Sequence, residues 1–390
     1  MKFNKLGKTD LNVSLICLGT MTWGVQNNQD EAFGLMDYAF DQGINFFDTA
    51  EQYSAPSTKE SYGKSETIIG NWFKQKNNRE KVILATKISG PGVPWIRGGG
   101  LQYTEKNITT AIECSLKRLK TDYIDLYQLH WPEREDGYFG NFRYNYKKWN
   151  SFESILKVLK KFIDQGKIRH IGVSNETTWG LKKYLELSNS HNLPRIVSIQ
   201  NGYNLLNRNF ESDLAETSIK EKSGLLAYSP LAFGFLSGKY RNNKRPKGSR
   251  LQLFNNYFVR YSGKLSSLAI EEYFKIAQKH NISFPQLSLA FVNQQPFITS
   301  SIIGATNKNQ LKENMDSINI SLSPEILGEI NLIHKKNKNP SNHRDKKIFI
   351  ERIPSYILSG SKLALKGDWS LLNNKLNKIL IKPIKNLVKK

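Results

Sequence analysis

Short apolar, β-branched runs alternate with longer stretches of helical period along most of this chain, and the alternation occurs eight times. The apolar runs occupy residues 15–18, 44–47, 82–85, 123–129, 168–173, 197–199, 225–228 and 301–303. Between them, residues 31–42, 65–76, 104–119, 151–165, 177–188 and 210–221 carry apolar side chains at helical spacing. Strands that alternate with helices build a parallel sheet with the helices outside, and eight strands close a (β/α)8 TIM barrel. Gly43 and Gly166 follow the first and fourth helical stretches, where a left-handed residue ends a helix. The competing doubly wound sheet predicts a G-x-G-x-x-G turn after the first strand, and Gly19-Thr20-Met21-Thr22-Trp23-Gly24 lacks that spacing. The expected fold class is α/β: a TIM barrel over residues 1–340 with long strand-to-helix loops, then a C-terminal extension over 341–390.

Three connections exceed simple turns. Residues 89–103, rich in glycine and proline, follow the third strand; 133–149, aromatic and basic, follow the fourth; 233–261 follow the seventh. Barrel active sites are built from strand-to-helix loops, so these three are expected to wall a substrate cleft and clamp a cofactor. Composition narrows the remaining choices. A chain of 390 residues with 39% hydrophobic side chains can bury one large core. No run of 18 apolar residues occurs, so no transmembrane segment is expected, and residues 1–18 hold no apolar block of signal-peptide length. Cys17 and Cys114 are too few for a disulfide framework, and no Cys/His cluster has metal-ligand spacing. A cytoplasmic location and no metal are expected. The net charge of +23 is uneven: residues 335–390 hold 15 Lys/Arg against 3 Asp/Glu, about half the excess. No basic stripe interleaved with aromatics marks the rest, so no nucleic-acid partner is expected.

Four polar groups stand at or just past the strand ends. Asp48 closes Phe46-Phe47-Asp48, with Tyr53 five residues on; Lys87 closes Leu84-Ala85-Thr86-Lys87; His130 closes Tyr127-Gln128-Leu129-His130. Each alone has an ordinary reading as a cap, a snorkelling lysine or a core histidine. Together they deliver an acid, a phenol, an ammonium and an imidazole to one rim. Such a set suits hydride addition to a carbonyl, which builds negative charge on oxygen and needs a proton donor and stabilising dipoles. Tyr53 is expected to donate the proton, Lys87 to lower the phenol's pKa, Asp48 to hold Lys87, and His130 to orient the carbonyl oxygen.

These residues and their surroundings resemble the aldo-keto reductase superfamily. The flanking motifs are Gly43-Ile44-Asn45-Phe46-Phe47-Asp48-Thr49-Ala50, Gly63-Lys64-Ser65-Glu66, Ser115-Leu116-Lys117-Arg118-Leu119 and Gly172-Val173-Ser174-Asn175. His130-Trp131-Pro132-Glu133, Leu205-Leu206-Asn207-Arg208 and Ile302-Ile303-Gly304-Ala305-Thr306 look closest to the bacterial Tas-like reductases. The resemblance runs from about residue 6 to 340 and implies an NADPH-dependent reductase of small-molecule carbonyl compounds. By that likeness Asp48, Tyr53, Lys87 and His130 match the catalytic tetrad. Ser174, Asn175 and Gln200 match the nicotinamide carboxamide site, and Tyr228 the ring that stacks on the nicotinamide. Ser229, Leu231, Gly234, Ser237 and Lys239 lie in the loop that wraps the pyrophosphate. Gly304, Thr306, Gln310, Glu313 and Asn314 resemble the site of the adenosine half. Arg250 and Lys308 are unranked candidates for the 2′-phosphate. Trp23, Trp95 and Trp131 adjoin strand ends and are candidates for an aromatic substrate wall, with core packing as the alternative for each.

The superfamily pattern stops near residue 340. Beyond it, Leu372, Leu376, Ile379 and Leu380 have helical spacing, with Lys375, Lys378 and Lys382 along one flank. A basic amphipathic stretch of this kind packs back on the barrel, lies on an anionic membrane surface or docks on a protein partner. The intact tetrad favours an enzyme. The alternative is a non-catalytic, nucleotide-bound regulatory or redox-sensing subunit of the same fold.

Overall fold

A two-residue side-chain period decides what each strand sends to the middle of the molecule. Eight parallel strands close on themselves in the order β10-β3-β4-β5-β6-β7-β8-β9. They are β3 (Ile16–Gly19), β4 (Phe46–Asp48), β5 (Ile83–Ile88), β6 (Ile124–Leu129), β7 (Ile168–Ser174), β8 (Ile196–Gly202), β9 (Gly224–Tyr228) and β10 (Ile298–Ile303). All eight coincide with the apolar runs, and the doubly wound alternative is excluded by the closure. Cys17, Phe46, Ala85, Leu126, Leu226 and Ile302 point inward and pack together as the barrel's own core. Their outward neighbours, among them Phe47, Leu84, Tyr127 and Leu225, join a larger core shared with the helices. Two residues further along β4, β5, β6 and β9, the inward positions are Asp48, Lys87, Gln128 and Tyr228. The interior thus changes from apolar to polar towards the C-terminal strand ends.

The computed structural model describes residues 1–99, 102–134, 149–254 and 257–342. The extension from residue 343 on, and most of the aromatic, basic loop after the fourth barrel strand, lie outside the described residues. A short antiparallel hairpin, β1 (Phe3–Lys5) and β2 (Asn12–Ser14), precedes the barrel, and its Leu6 and Val13 pack into the inner core from the N-terminal end. This floor was not foreseen, because three-residue strands are too short to show a period.

Helices α1 (Gln29–Asp41), α2 (Lys64–Lys76), α3 (Glu105–Leu119), α4 (Phe152–Asp164), α5 (Thr178–Ser190) and α6 (Leu214–Glu221) fall on the six predicted stretches. Asn28 and Glu31 form a reciprocal capping box on α1, and Thr104, Ser151 and Thr177 cap α3, α4 and α5. Each such cap contributes about 1 kcal/mol. The two predicted stops are left-handed, with φ of 86° at Gly43 and 72° at Gly166. At both, the last carbonyls are satisfied in the Schellman pattern: Gly43 N to Phe40 O and Ile44 N to Ala39 O, Gly166 N to Ile163 O and Lys167 N to Phe162 O. Further helices α7 (Arg250–Leu253), α8 (Lys264–Lys279), α9 (Phe284–Asn293), α10 (Lys308–Asp316) and α11 (Pro324–Lys336) complete the outer layer. Among the described residues, no helix is long and apolar enough to cross a membrane.

Candidate active site

The centre of the polar layer is a buried ion pair. Lys87 Nζ donates to Asp48 Oδ1 at 2.6 Å and to the Thr49 carbonyl at 2.7 Å, and the two charged side chains are 0% and 2% exposed. The other carboxylate oxygen accepts from Gln200 Nε2 at 2.8 Å and Gln128 Nε2 at 3.3 Å. A buried charge is tolerated only when its lone pairs and protons are satisfied in this way. Thr49 is braced in turn, since its hydroxyl donates to Ser65 Oγ at 3.1 Å, and Ser65 donates to Thr20 Oγ1 at 2.7 Å. The Gly63-Lys64-Ser65-Glu66 motif therefore acts from behind the site. Glu66 holds Thr86 and Arg118 through 2.6 Å and 2.7 Å bonds.

Tyr53 and His130 stand over this pair. The Lys87 ammonium lies 5.0 Å from the Tyr53 ring centroid, and the Tyr53 and His130 rings meet edge to face at 5.7 Å. Both side chains are half-buried. Burial pushes the Tyr53 phenol well above its ordinary pKa, and the Asp48 carboxylate adds to the rise, with Arg250 opposing it. This corrects the expected depression by Lys87: in the protein alone, desolvation and the nearby carboxylate govern the phenol. Burial, helped by Lys87, holds the His130 imidazole well below its usual pKa. At neutral pH the rim therefore presents a protonated phenol and a neutral imidazole.

The positions expected to meet nicotinamide are adjacent. Ser174 and Gln200 are register partners on β7 and β8, and Ser174 Oγ donates to the Gln200 carbonyl at 2.8 Å. Asn175 takes a left-handed φ of 55°, its Nδ2 bonds the His130 carbonyl at 2.9 Å, and its Oδ1 accepts from the Tyr228 hydroxyl at 2.8 Å. Tyr228 is also held by Arg260 at 3.3 Å, a contact that sequence reasoning missed. Gln200 differs from expectation in one respect: its amide nitrogen is committed to Asp48 and Gln128 inside the barrel.

The loop after β9 carries Ser229, with φ of 54°, and turns through Leu231 and Gly234, with φ of 97°. Ser237 Oγ closes this turn on the Gly234 carbonyl at 2.7 Å. The Lys239 side chain lies across Gly234, so close that a Cβ there would meet its Cε at 2.8 Å. Burial, with Arg250 nearby, lowers the Lys239 pKa to about 8. The Arg250 guanidinium reaches Gly304, 3.1 Å from where a Cβ would stand, and burial lowers its pKa too. Among the described residues, no carboxylate pairs with either cation. Nearby in sequence, Ser249 Oγ and Tyr240 Oη are buried without partners. Unpaired cations, orphaned hydroxyls and a glycine turn are the chemistry of an anion site. Lys308, by contrast, is exposed, its stem 3.7 Å from a Cβ on Gly34 of α1. On α10, Gln310 Oε1 accepts from Thr306 N and Oγ1 at 3.1 and 3.0 Å; Asn314 is buried and Glu313 half-buried.

Of the tryptophans, Trp131 lies 4.9 Å from the His130 ring and packs with Val93 and Ile96, with Trp95 and Tyr62 against them. Trp23 is 2% exposed and sits in the main core, so the core alternative holds for it rather than an open wall. Gln128, Thr49, Glu51 and Arg97 were not foreseen. Gln128 shares the inward parity of His130, a signal present in the sequence; the other three carry none.

Comparison with known proteins agrees with this geometry. The aldo/keto reductase family pattern matches residues 15–335. The chain is 46% identical over 340 residues to Protein tas of Escherichia coli (strain K12), covering 86% of this chain and 98% of that protein. It is 34% identical over 338 residues to the uncharacterized oxidoreductase YrpG of Bacillus subtilis, covering 85% and 95%. It is 37% identical over 279 residues to an aldo-keto reductase of Babesia bovis, covering 67% and 98%. The chain belongs to the aldo/keto reductase family, a family of oxidoreductases.

Proposed function

We propose that the protein reduces aldehydes and ketones to alcohols with NADPH. The observation that carries this reading is the buried Asp48–Lys87 pair beneath two groups that are neutral at pH 7, Tyr53 and His130. When bound, NADPH supplies the hydride that adds to the carbonyl carbon. Tyr53 gives its hydroxyl proton to the carbonyl oxygen, and the raised pKa keeps that proton in place until it is needed. Lys87, with one N–H left over from Asp48 and Thr49, stabilises the phenolate that Tyr53 becomes. His130, as a neutral imidazole, hydrogen-bonds the same oxygen and fixes its direction.

Ser174, Asn175 and Gln200 would hold the carboxamide of the nicotinamide, and Tyr228, fixed by Asn175 and Arg260, would stack on its ring. Ser229, Leu231, Gly234, Ser237 and Lys239 would take the pyrophosphate. Gly304, Thr306, Gln310, Glu313 and Asn314 would take the adenosine half. The half-buried Arg250, which no carboxylate among the described residues pairs with, is the better candidate than exposed Lys308 for the 2′-phosphate, which favours NADPH over NADH. Trp131 would line the substrate side. Two free cysteines, Cys17 and Cys114, suit a reducing cytoplasm. The reductase unit would end near residue 340, just past the family match.

Loss of NADPH absorbance with a panel of aldehydes and ketones tests the reading. Tyr53→Phe is expected to lower kcat by about 10²–10⁴-fold while NADPH binding, followed by fluorescence, is retained. Tight NADPH binding with no turnover of any carbonyl would replace the enzyme by a nucleotide-bound regulatory subunit.

A further inference from the structure

The loop that follows β5 is tied back to its own root. Ser89 N donates to Glu51 Oε2 at 2.9 Å, and the Ser89 carbonyl accepts from Arg97 Nη2 at 3.3 Å. Arg97 Nη1 pairs with Glu51 Oε1, which closes the ring of three residues. The ion pair is buried, with side chains 2% and 9% exposed. The Arg97 backbone has φ of 45°, a left-handed conformation that costs a non-glycine residue about 1–2 kcal/mol. Gly98 and Gly99, which follow it directly, take the same left-handed region, with φ of 69° and 85°, without that cost. The arginine therefore occupies a position better suited to glycine, which is the kind of outlier that marks a constrained function.

The span that this tie encloses grips Trp131. Gly90 lies so close to the indole that a Cβ would meet Nε1 at 2.5 Å, and Nε1 donates to the Pro91 carbonyl at 3.0 Å. Val93 and Ile96 pack on the same ring. Trp131 in turn lies against His130, and His130 against Tyr53. At the other end, Glu51 stands two residues before Tyr53, and its backbone N–H bonds the Lys87 carbonyl at 3.0 Å. One buried ion pair thus joins the segment bearing Tyr53 to the far end of the loop that presses Trp131 onto His130.

We infer that the Glu51–Arg97 pair is a latch that positions residues 89–97 as the substrate-side wall and so sets which carbonyl compounds fit; this rests on the carbonyl-reductase reading above. Both are positioning residues, acting through Trp131 and the loop. With the latch closed, Trp131, Trp95 and Tyr62 are gathered in one apolar cluster beside His130, an aromatic setting that suits a carbonyl carried on a flat aromatic group. With the latch open, that wall loosens while the Asp48–Lys87 pair stays intact.

The test uses the full chain with Glu51→Gln, Arg97→Met and Arg97→Lys. KM for 2-naphthaldehyde is expected to rise at least tenfold in Glu51→Gln and Arg97→Met. KM for propanal should rise by less than threefold, and the Kd of NADPH should change by less than twofold. Arg97→Lys, which keeps the charge, should recover part of the aromatic KM. Equal losses for both aldehydes, following the fall in Tm, would show general destabilisation and overturn the latch. A second readout does not depend on turnover: trypsin cleavage of the Arg97–Gly98 bond, followed by mass spectrometry, should be at least tenfold faster in Glu51→Gln than in the parent. Equal cleavage rates would also overturn it. A parent protein that reduces no carbonyl would remove the reductase reading, and the trypsin rates alone would then decide the latch.

Discussion

Replacing Lys87 by Met tests how the polar layer is held together, separately from what it catalyses. Met fills most of the volume of the lysine stem, so the change is electrostatic rather than a cavity. It removes a 2.6 Å bond to Asp48 and a 2.7 Å bond to the Thr49 carbonyl. The carboxylate keeps two amide donors, both on Oδ2, and loses the ammonium on Oδ1. Removing one partner of a buried pair costs about 3–5 kcal/mol, because the other charge remains buried and uncompensated. At about 1.4 °C per kcal/mol for a domain of this size, Tm should fall by roughly 4–7 °C. Asp48→Asn combined with Lys87→Met removes the stranded charge while keeping an acceptor for Gln200, so it should regain at least half of that loss. Thermal unfolding of the parent, both single variants and the double variant gives the coupling directly. A double variant no more stable than Lys87→Met would refute the argument, since the stranded carboxylate would then not be the cause. All three variants should be inactive in NADPH oxidation, so a stability recovery cannot be mistaken for restored catalysis.

Other outcomes follow from the same geometry. Lys239 titrates at about 8, so it is charged below that pH and loses its charge above it. The Kd of NADPH should therefore be flat below about pH 7, weaken through pH 8–9, and lose that dependence in Lys239→Met. With NADPH saturating, kcat should be level from pH 6.5 to 8, because Tyr53 is pushed above that window and His130 below it; a step there would contradict both assignments. Gly90→Ala places a methyl 2.5 Å from the Trp131 indole and should cost about 1–3 kcal/mol in urea unfolding, with a shift in tryptophan emission. Leu226→Ala opens space in the barrel's inner core, where nothing can move in to fill it, and should cost about 2–5 kcal/mol.

Much of the fold was legible because it is written locally. Each of the eight barrel strands announces itself by a short apolar run, and the stops at Gly43 and Gly166 depend only on the residues beside them. Asp48, Lys87 and His130 were readable for a related reason: the two-residue period carries them above Phe46, Ala85 and Leu126 on the inner face. What stayed hidden depends on folding itself. Gln200 reaches Asp48 across 152 positions, and no local pattern reports that. The direction of the Tyr53 shift arises from burial, which exists only once the loops are assembled. The Arg97 tie sits in a glycine-rich stretch that reads as a plain turn. Helices α8 and α9 follow the longest described loop, with no strand between them to mark their place.

The hairpin floor has a consequence for proton traffic. Leu6 and Val13 close the N-terminal end of the barrel over an apolar column of Cys17, Phe46, Ala85, Leu126 and Leu226. Among the described residues that column is apolar up to the Ser198 hydroxyl, which stands beside Gln128 without a partner, and the Asp48–Lys87 pair above it is spoken for by Gln128, Gln200 and Thr49. On the carbonyl-reductase reading, a proton given up at the rim would be replaced from the mouth, the same side by which product would leave. Recharging of the acid and departure of the alcohol would then share one doorway and occur in sequence, the second clearing the way for the first.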